Sequence, residues 1–340
     1  MNLIEVKHLT KTYGDHCAVD DLSFTVEDGQ IYGFLGPNGA GKSTTMNIMT
    51  GYLAPTSGDV IINGHDILEE PEEAKRTIGY LPEIPPVYTD MTVAEYLRFC
   101  AELKKVPRAE RKDAVRNAID ELELGEVKNR LIRNLSKGFR QRVGFAQAII
   151  ANPETLILDE PTVGLDPKQI IEIRELIRNL GKKHTVILSS HILAEVSEIC
   201  DTLLILSGGK LKAVGSPAEL SREQSGTVVV TVTSPAEKEK LLAALSPKLA
   251  KGKVHLSSDP DGLVRAEITL GEENFKNNPD LASDPRRFVS NLLAQSSCPY
   301  YSVEVMASSL EKIFLDLTGE KGEPDKKPKN GKEAENGSSL

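Results

Sequence analysis

Tryptophan is absent from this 340-residue sequence, and aromatic residues make up only 5% of it. Proteins that bind single-stranded nucleic acid stack its bases on aromatic side chains, so such platforms would be hard to build here. Basic residues are also outnumbered, with 41 lysines and arginines against 50 aspartates and glutamates and a net charge of −9. A chain of this charge is not suited to coating nucleic acid or anionic lipid by electrostatic attraction alone. We therefore expect no nucleic-acid partner.

The sequence also has few cysteines and no long hydrophobic run. Its four cysteines lie far apart, without a C-x-x-C pair or a histidine at zinc-finger spacing, which predicts free, mostly buried thiols rather than disulfides or a structural metal. Apolar runs such as 203–206 stop far short of the roughly 20 residues that span a bilayer, and the first ten residues contain no apolar signal-peptide segment. These absences predict a protein that stays in the cytoplasm.

The residue patterns predict two unequal domains and a tail. Strand patterns fill the first 35 residues, mainly helical patterns run from Pro71 to about Ile150, and apolar strands follow at 155–159 and 185–190 with an amphipathic helix between them. That order predicts an α/β domain with a buried parallel sheet, which we place at 1–220. A segment rich in glycine, serine and proline at 215–226 marks a boundary.

Beyond that boundary, short strands alternate with helical stretches. This rhythm predicts a small accessory α+β domain at 227–318, ending in the helix SLEKIFLDLTG. Residues 319–340 are rich in lysine, glutamate and glycine and show no apolar periodicity, so we predict a disordered tail.

A phosphate-binding loop is the strongest motif in the sequence. GPNGAGKST at 36–44 fits G-x-x-x-x-G-K-[ST], follows the strand IYGFL and opens a stretch that can be helical. Its glycines let successive N–H groups point at phosphate oxygens from a helix N-terminus. We expect Lys42 to bridge the β- and γ-phosphates and Ser43 to ligate Mg²⁺. The predicted nucleotide-binding residues are Gly36, Pro37, Asn38, Gly39, Ala40, Gly41, Lys42, Ser43 and Thr44.

Two carboxylates follow the apolar strand TLIL, and open parallel sheets bind ligands at the carboxyl ends of their strands. Asp159 is expected to hold Mg²⁺ through water, and Glu160, on the other side of the strand, to polarise an attacking water. A capping or solvated acidic pair is the alternative interpretation.

Two further stretches, LSKGFRQR at 135–142 and SSHIL at 189–193, separate this chain from other phosphate-loop proteins. The sequence resembles an ATP-binding-cassette (ABC) ATPase. Walker A GPNGAGKST, the signature LSKGFRQR, Walker B LILDEP, the D-loop GLD and a switch histidine occur in that family's order over 36–191. The resemblance implies a P-loop NTPase core with a mostly parallel sheet, an N-terminal antiparallel β subdomain and a helical subdomain that carries the signature.

The resemblance also implies roles for single residues. Tyr13 stands where the family stacks an aromatic ring on adenine, although it could serve packing only. Ser136 and Gly138 match signature positions that cap the γ-phosphate of ATP held by a second subunit. Asp166 matches the D-loop aspartate that communicates across the dimer. His191 matches the histidine that contacts the γ-phosphate, the alternative being a packed histidine at a strand end.

The chain departs from the family pattern at three places. Lys137 and Phe139 replace a glycine and a glutamine of the usual signature LSGGQ, while Glu83 stands where the family more often has glutamine. A carboxylate at that position can still ligate Mg²⁺. The combination of LSKGF and LPE is similar to cassettes that work with ABC-2-type permeases, mostly bacterial exporters, and the ending SLEKIFLDLTG is similar to the same subset.

The resemblance thus implies an ATPase that binds ATP and Mg²⁺ as a head-to-tail dimer and powers a separate ABC-2-type membrane permease in the direction of export. Residues 84–99 would be the docking surface, and the protein would sit peripherally on the cytoplasmic face of the cell membrane. A soluble cassette ATPase acting on ribosomes or DNA is the alternative. A small-molecule kinase with the same loop is a third hypothesis, which leaves the signature and the switch histidine unexplained because a kinase would need neither.

Overall fold

The computed structural model describes residues 2–223, 227–245, 254–258, 262–271, 284–306 and 310–318. Its strands are β1 (Asn2–Tyr13), β2 (His16–Glu27), β3 (Ile31–Leu35), β4 (Ser57–Ile62), β5 (His65–Asp66), β6 (Ile78–Leu81), β7 (Thr155–Leu158), β8 (Thr185–Ser190), β9 (Thr202–Ser207), β10 (Lys210–Gly215), β11 (Thr227–Ser234), β12 (Val254–Ser258), β13 (Val264–Gly271) and β14 (Ser302–Met306).

The helices are α1 (Lys42–Met49), α2 (Pro71–Arg76), α3 (Val93–Leu103), α4 (Arg111–Glu121), α5 (Lys137–Ile149), α6 (Pro167–Gly181), α7 (Leu193–Ile199), α8 (Pro217–Glu223), α9 (Lys238–Leu245), α10 (Pro285–Gln295) and α11 (Leu310–Thr318), with a 3₁₀ turn at Ile132–Asn134. In the described ranges no helix is both long and apolar enough to cross a membrane.

A six-stranded sheet forms the centre of the larger part of the molecule. Its order is β10-β9-β3-β8-β7-β6, and β10 is an antiparallel edge strand beside parallel neighbours. Both faces are covered, which explains the continuous apolar runs. In β7, Leu156 and Leu158 pack with the helices, while Ile157 packs with the N-terminal strands. The predicted α/β class with a mostly parallel sheet is confirmed.

The two layers around this sheet match the predicted subdomains. An antiparallel sheet, β2-β1-β4-β5, shares a core with α1 and one face of the central sheet. Helices α3, α4 and α5 share the core of the other face. A capping box starts α3: the Thr92 hydroxyl accepts from Glu95 N, and the Glu95 carboxylate accepts from Thr92 N.

Strand β6 lies inside the region predicted to be mainly helical. This four-residue strand pairs with β7, with Ile78 opposite Thr155. Gly79 lets α5 approach closely, because a Cβ there would collide with the Ala148 carbonyl oxygen. A strand this short is defined by its neighbours rather than by its own periodicity.

The described residues of the C-terminal part have the element order β11-α9-β12-β13-α10-β14 and form an antiparallel sheet arranged β12-β13-β11-β14. This is the ferredoxin-like split β-α-β arrangement. Leu241 and Leu293 of the helices pack against Val230, Val232 and Ile268 on one face of the sheet. The predicted α+β character is confirmed.

The structure differs from the prediction at the boundary segment and at the final helix. The predicted boundary at 215–226 contains α8, whose Leu220 is buried in the core of the larger part, as is Phe314 of α11. The final helix therefore packs beside α7 and β9 rather than on the C-terminal sheet. The domain limits 1–220 and 227–318 stay predictions, and the predicted tail 319–340 lies outside the described residues.

The cysteines behave as expected for a chain without disulfides. Cys100, Cys200 and Cys298 are free and buried, and Cys17 is free and exposed. Burial raises the pKa of both the Cys100 and the Cys200 thiols.

Candidate nucleotide-binding site

The carboxyl ends of three adjacent parallel strands meet at one edge of the central sheet. The glycine loop leaves β3, Asp159 and Glu160 follow β7, and His191 follows β8. This edge is where open α/β sheets bind ligands. The fold thus brings together residues that lie up to about 150 positions apart in the sequence.

The glycine loop can only be built with glycine at its critical positions. Gly41 has φ +100°, and a Cβ on it would lie 2.7 Å from the Ala18 carbonyl oxygen. At Gly36 a Cβ would collide with the Leu206 carbonyl oxygen. Helix α1 then begins at Lys42 without a side-chain cap in the described structure, so its N-terminus is open to an anion.

Lys42 is buried and folded back onto its own loop. Its Nζ donates to the carbonyl oxygens of Gly36 at 2.6 Å and Pro37 at 3.2 Å, and lies 3.7 Å from Glu160 Oε1. Burial lowers the pKa of Lys42, while the charges of Glu160 and Asp159 act in the opposite direction. The ammonium group is therefore held at the point where phosphate oxygens would approach.

Ser43 and Asp159 form the oxygen pair expected at a magnesium site. Ser43 Oγ donates to Asp159 Oδ1 at 3.1 Å, and Asp159 is buried. Hydroxyl and carboxylate oxygens fit this hard cation. Within the described ranges no group of three or more histidine, cysteine, aspartate or glutamate side chains could hold a metal.

Glu160 lies between Lys42 and His191. Its carboxylate oxygens are 3.1 and 3.0 Å from His191 Nδ1, and Glu160 is only 8% exposed. Its backbone is left-handed, with φ +45°, a conformation that costs free energy in a residue other than glycine. A buried carboxylate in this setting can accept a proton from a water molecule.

A cavity of about 410 Å³ opens over these groups. Of the predicted residues it contains Tyr13, Asn38, Gly39, Ala40, Gly41, Lys42, Ser43, Thr44, Glu83, Glu160 and His191. Gly36, Pro37 and Asp159 lie behind its surface and contact Lys42 or Ser43. Sequence reasoning missed His16, Ala18 and Val163, which also line it. His16 reaches the cavity as the cross-strand partner of Tyr13 in the β1–β2 hairpin, a pairing that the residue type alone does not indicate.

A second cavity, of about 600 Å³, lies between α5 and α6 and contains Ser136 and Gly138. This cavity contains neither the glycine loop nor a lysine, and its charged lining consists of one arginine and five glutamates: Arg142, Glu121, Glu123, Glu126, Glu172 and Glu175. The nucleotide is therefore assigned to the smaller cavity, which has the glycine loop and a lysine.

The signature and D-loop residues serve helix ends within their own chain. Ser136 caps α5 by accepting from Phe139 N at 3.3 Å, and Asp166 caps α6 by accepting from Gln169 N at 2.9 Å. Gly138 packs against the Gln169 side chain. These residues lie apart from the loop cavity, and their predicted role toward a second subunit stays a prediction.

Two buried side chains that sequence reasoning did not single out hold the segment around Glu160. Gln141 Nε2 donates to the Pro161 carbonyl oxygen at 2.8 Å, and Ser189 Oγ accepts from Glu160 N at 2.8 Å. Their burial became visible only in the structure, because a polar residue type does not by itself indicate a buried position. Such a residue must find a hydrogen-bond partner.

Comparison with known proteins identifies the family. The model of the ABC transporter family matches residues 19–163. An uncharacterized ABC transporter ATP-binding protein of Bacillus subtilis is 35% identical, and the match covers 94% of this chain and 96% of that protein. This chain belongs to the ABC transporter ATP-binding proteins. The other relatives of this ABC protein include the bacitracin transport ATP-binding protein of Bacillus licheniformis, 33% identical over 93% of this chain and 97% of that protein.

A third relative of the ABC chain is the daunorubicin/doxorubicin resistance ATP-binding protein of Streptomyces peucetius, 33% identical over 93% of this chain and 92% of that protein. Among solved structures, the ATP-binding subunit of an ABC transporter matches with TM-score 0.60 and 34% identity, over 65% of this chain and 92% of that one. A dimeric ATP-binding cassette in a post-hydrolysis state, bound to ADP and phosphate, matches with TM-score 0.57 and 25% identity over 63% of this chain and 98% of that one.

Membership confirms the ABC ATPase fold class and the resemblance expected from the motifs. It also establishes this chain as an ATP-binding protein of a family of ATPases whose members include transporter subunits and dimers.

Proposed function

We propose that this ABC protein hydrolyses ATP to drive a separate integral membrane permease of ABC-2 type, in the direction of export. The observation that carries the hydrolytic part is that Lys42, Glu160 and His191 meet in one cavity at the edge of the sheet, with Asp159 bonded to Ser43 behind it. A binding module without turnover would not need a buried carboxylate beside both a lysine and a histidine.

Binding of the triphosphate uses the loop and its helix. The N–H groups at the start of α1 face the phosphates, and the Lys42 ammonium exchanges its loop carbonyls for phosphate oxygens. The exposed ring of Tyr13 offers a stacking surface for adenine. Ser43, Asp159 and, from the loop after β6, Glu83 would hold Mg²⁺, which supplies charge neutralisation between the phosphates when it is bound.

Hydrolysis then follows from the position of Glu160. A water oxygen attacks the γ-phosphorus in line, the bond to the β-phosphate oxygen breaks, and the water proton passes to the Glu160 carboxylate. Lys42 stabilises the negative charge on the γ-phosphate. His191, which lies beside Glu160, donates a hydrogen bond to the same phosphate. The products are ADP and inorganic phosphate.

The second half of each site is proposed to come from another nucleotide-binding subunit. Ser136, Gly138 and Asp166 lie apart from the cavity of their own chain, which fits residues that act on a partner's nucleotide. A related cassette is dimeric and bound to ADP and phosphate. The helix N-terminus at Ser136 presents a hydroxyl and N–H groups to an anion.

A permease is proposed to dock on the segment after Glu83. Ile84 is 81% exposed and Tyr88 54% exposed, while Tyr96 of α3 anchors the segment by donating to the Pro86 carbonyl oxygen. Large exposed apolar side chains on a fixed loop are typical of a protein contact. Such docking would place the protein on the cytoplasmic face of the membrane. Export is supported by the relative named for resistance to daunorubicin and doxorubicin, because resistance follows when a drug is moved out of the cell.

Purification of the tagged full-length chain from detergent-solubilised membranes, with ATPase assay of the product, tests this proposal. We expect phosphate release from ATP and an integral membrane protein in the complex. An Ile84→Asp variant should lose the membrane partner and keep its nucleotide affinity, and Leu103→Asp, at another exposed apolar residue, serves as the control. Recovery with ribosomes or DNA would favour the soluble cassette ATPase instead.

A further inference from the structure

Ser189 lies one residue before the end of β8 and is completely buried. Its hydroxyl contacts both acidic residues that follow β7: it accepts from Glu160 N at 2.8 Å and donates to Asp159 Oδ1 at 2.6 Å. We propose that Ser189 is a positioning residue that fixes the backbone of Glu160 and the carboxylate of Asp159 for ATP hydrolysis. This inference rests on the hydrolytic function proposed above.

The hydrogen-bond roles at Ser189 admit one arrangement. A backbone N–H can only donate, and an ionised carboxylate can only accept. The hydroxyl has a single proton, so it must give that proton to Asp159 and receive the bond from Glu160. The hydroxyl orientation is therefore fixed, and an apolar side chain could replace neither bond.

The backbone at Glu160 needs this acceptor. Strands β7 and β8 pair from Thr155 opposite Thr185 to Leu158 opposite Leu188, and β7 ends there. Glu160 then takes its left-handed conformation, φ +45°. Its buried N–H bonds to a side-chain oxygen of β8 instead of a ladder carbonyl. Because a buried N–H without a partner is unfavourable, the hydroxyl favours the conformation that directs the Glu160 side chain to His191 and Lys42.

The carboxylate of Asp159 is held by the same group. Asp159 Oδ1 accepts from Ser189 Oγ at 2.6 Å and from Ser43 Oγ at 3.1 Å. Two hydroxyl donors on one oxygen restrict rotation of the carboxylate. Groups that orient a metal-binding carboxylate in this way affect metal affinity or activity by roughly 10- to 100-fold.

The chain contains a matched control for the loss of a buried hydroxyl. Thr155 lies on β7, is fully buried, and its Oγ1 has no hydrogen-bond partner among the described residues. Thr155→Val therefore removes a buried hydroxyl without breaking a bond. Ser189→Ala removes a buried hydroxyl that makes two hydrogen bonds. Ser189→Thr keeps the hydroxyl oxygen on a β-branched side chain, which is suited to a strand.

Full-length Ser189→Ala, Ser189→Thr and Thr155→Val are compared with the parent by ATP turnover, by Mg²⁺ titration of the affinity for a fluorescent ATP analogue, and by thermal unfolding. We expect Ser189→Ala to lower kcat by roughly 10- to 100-fold, to change KM for ATP by less than about 3-fold at saturating Mg²⁺, and to need about 10-fold more Mg²⁺ for tight binding. Ser189→Thr should recover most of kcat, and Thr155→Val should match the parent. Assays run well below the melting temperature of every variant.

If Ser189→Ala has the kcat and the Mg²⁺ dependence of the parent, the inference is overturned. The proposed function is unaffected in that case, because the parent still hydrolyses ATP. If Thr155→Val loses as much kcat as Ser189→Ala, the inference is also overturned, because removal of any buried hydroxyl would then lower kcat. If the parent itself releases no phosphate, the proposed hydrolysis fails, and the Mg²⁺ titration of Ser189→Ala still decides whether Ser189 positions Asp159.

Discussion

The carboxyl edge of the central parallel sheet and the C-terminal antiparallel sheet bury polar groups in different ways. The central sheet is covered on both faces, and polar side chains at its carboxyl edge, such as Ser189 and Asp159, are buried and bonded to one another. Among the described residues, the C-terminal sheet carries α9 and α10 on one face, and the other face presents exposed residues such as Arg265 and Glu267. In its middle, Thr231 Oγ1 is buried and has no hydrogen-bond partner in the described part of the chain.

This difference separates a chemical role from a packing role. Buried polar groups that bond across strands hold one another in a single geometry, whereas an unpaired hydroxyl adds only cost. We therefore expect substitutions at the central edge to change nucleotide chemistry and substitutions in the C-terminal sheet to change stability alone. Four experiments can break this contrast, and they follow in order of expected effect.

Glu160→Gln should have the largest effect. The amide keeps the shape of the side chain but cannot accept the proton of the attacking water, so we expect kcat to fall by about 10³-fold. ATP binding should persist, and the variant should accumulate as a nucleotide-bound dimer, measured by light scattering with ATP. Steady-state hydrolysis at the parental rate would show that Glu160 is not the base.

Ile268→Ala tests the C-terminal sheet at its core. Ile268 is fully buried in β13, so its truncation should cost about 2–5 kcal/mol of unfolding free energy for the C-terminal part, measured by chemical denaturation. Affinity for ATP should stay at the parental value. Glu267→Ala, on the exposed face of the same strand, should change stability by less than about 0.5 kcal/mol. A loss of ATP affinity in Ile268→Ala would show that the C-terminal sheet contributes to nucleotide binding, which contradicts the contrast.

Lys42→Ala should weaken nucleotide binding. The variant loses charge-assisted hydrogen bonds to the phosphates, worth about 1.5–3 kcal/mol, or roughly 10- to 150-fold in affinity. Fluorescence titration with an ATP analogue measures this loss, and Lys183→Ala, whose Nζ pairs with Glu121 at the surface, is the control. Equal affinities for variant and parent would contradict the assignment of the phosphate site.

Thr231→Val should have the smallest effect and the opposite sign. The valine removes a buried hydroxyl without a partner, so we expect the unfolding free energy to stay constant or rise by about 1 kcal/mol. Denaturant unfolding of parent and variant measures it. A marked destabilisation would indicate that Thr231 has a partner in the folded protein, and the two sheets would then resemble each other more than the structure suggests.

Much of the site could be predicted because its residues sit in local patterns. The glycine loop is contiguous, and Asp159 and Glu160 follow a strand whose apolar run is visible in the sequence. Strand β6 and helix α8 were missed for the opposite reason. Each is short, and each is stabilised by contacts with distant segments, as Leu220 shows by packing in the same core as Phe314.

His16 and Ser189 illustrate the same limit within the site. His16 reaches the cavity through its pairing with Tyr13 across the hairpin, and Ser189 reaches Asp159 and Glu160 through the pairing of β8 with β7. Neither pairing is encoded in the residue itself. A serine two residues before a histidine, at the end of a strand, has no distinctive local pattern.

The sequence alone determined the class of fold, the phosphate loop and the acidic pair, since backbone conformation and side-chain chemistry there depend on neighbours along the chain. Only the tertiary structure decided that Glu160 adopts a left-handed backbone held by Ser189, that Lys42 lies on its own loop, and that α11 returns to the larger core. These features depend on hydrogen bonds and packing between strands that are distant in sequence. Their geometry exists only once the parallel sheet has placed its carboxyl ends side by side.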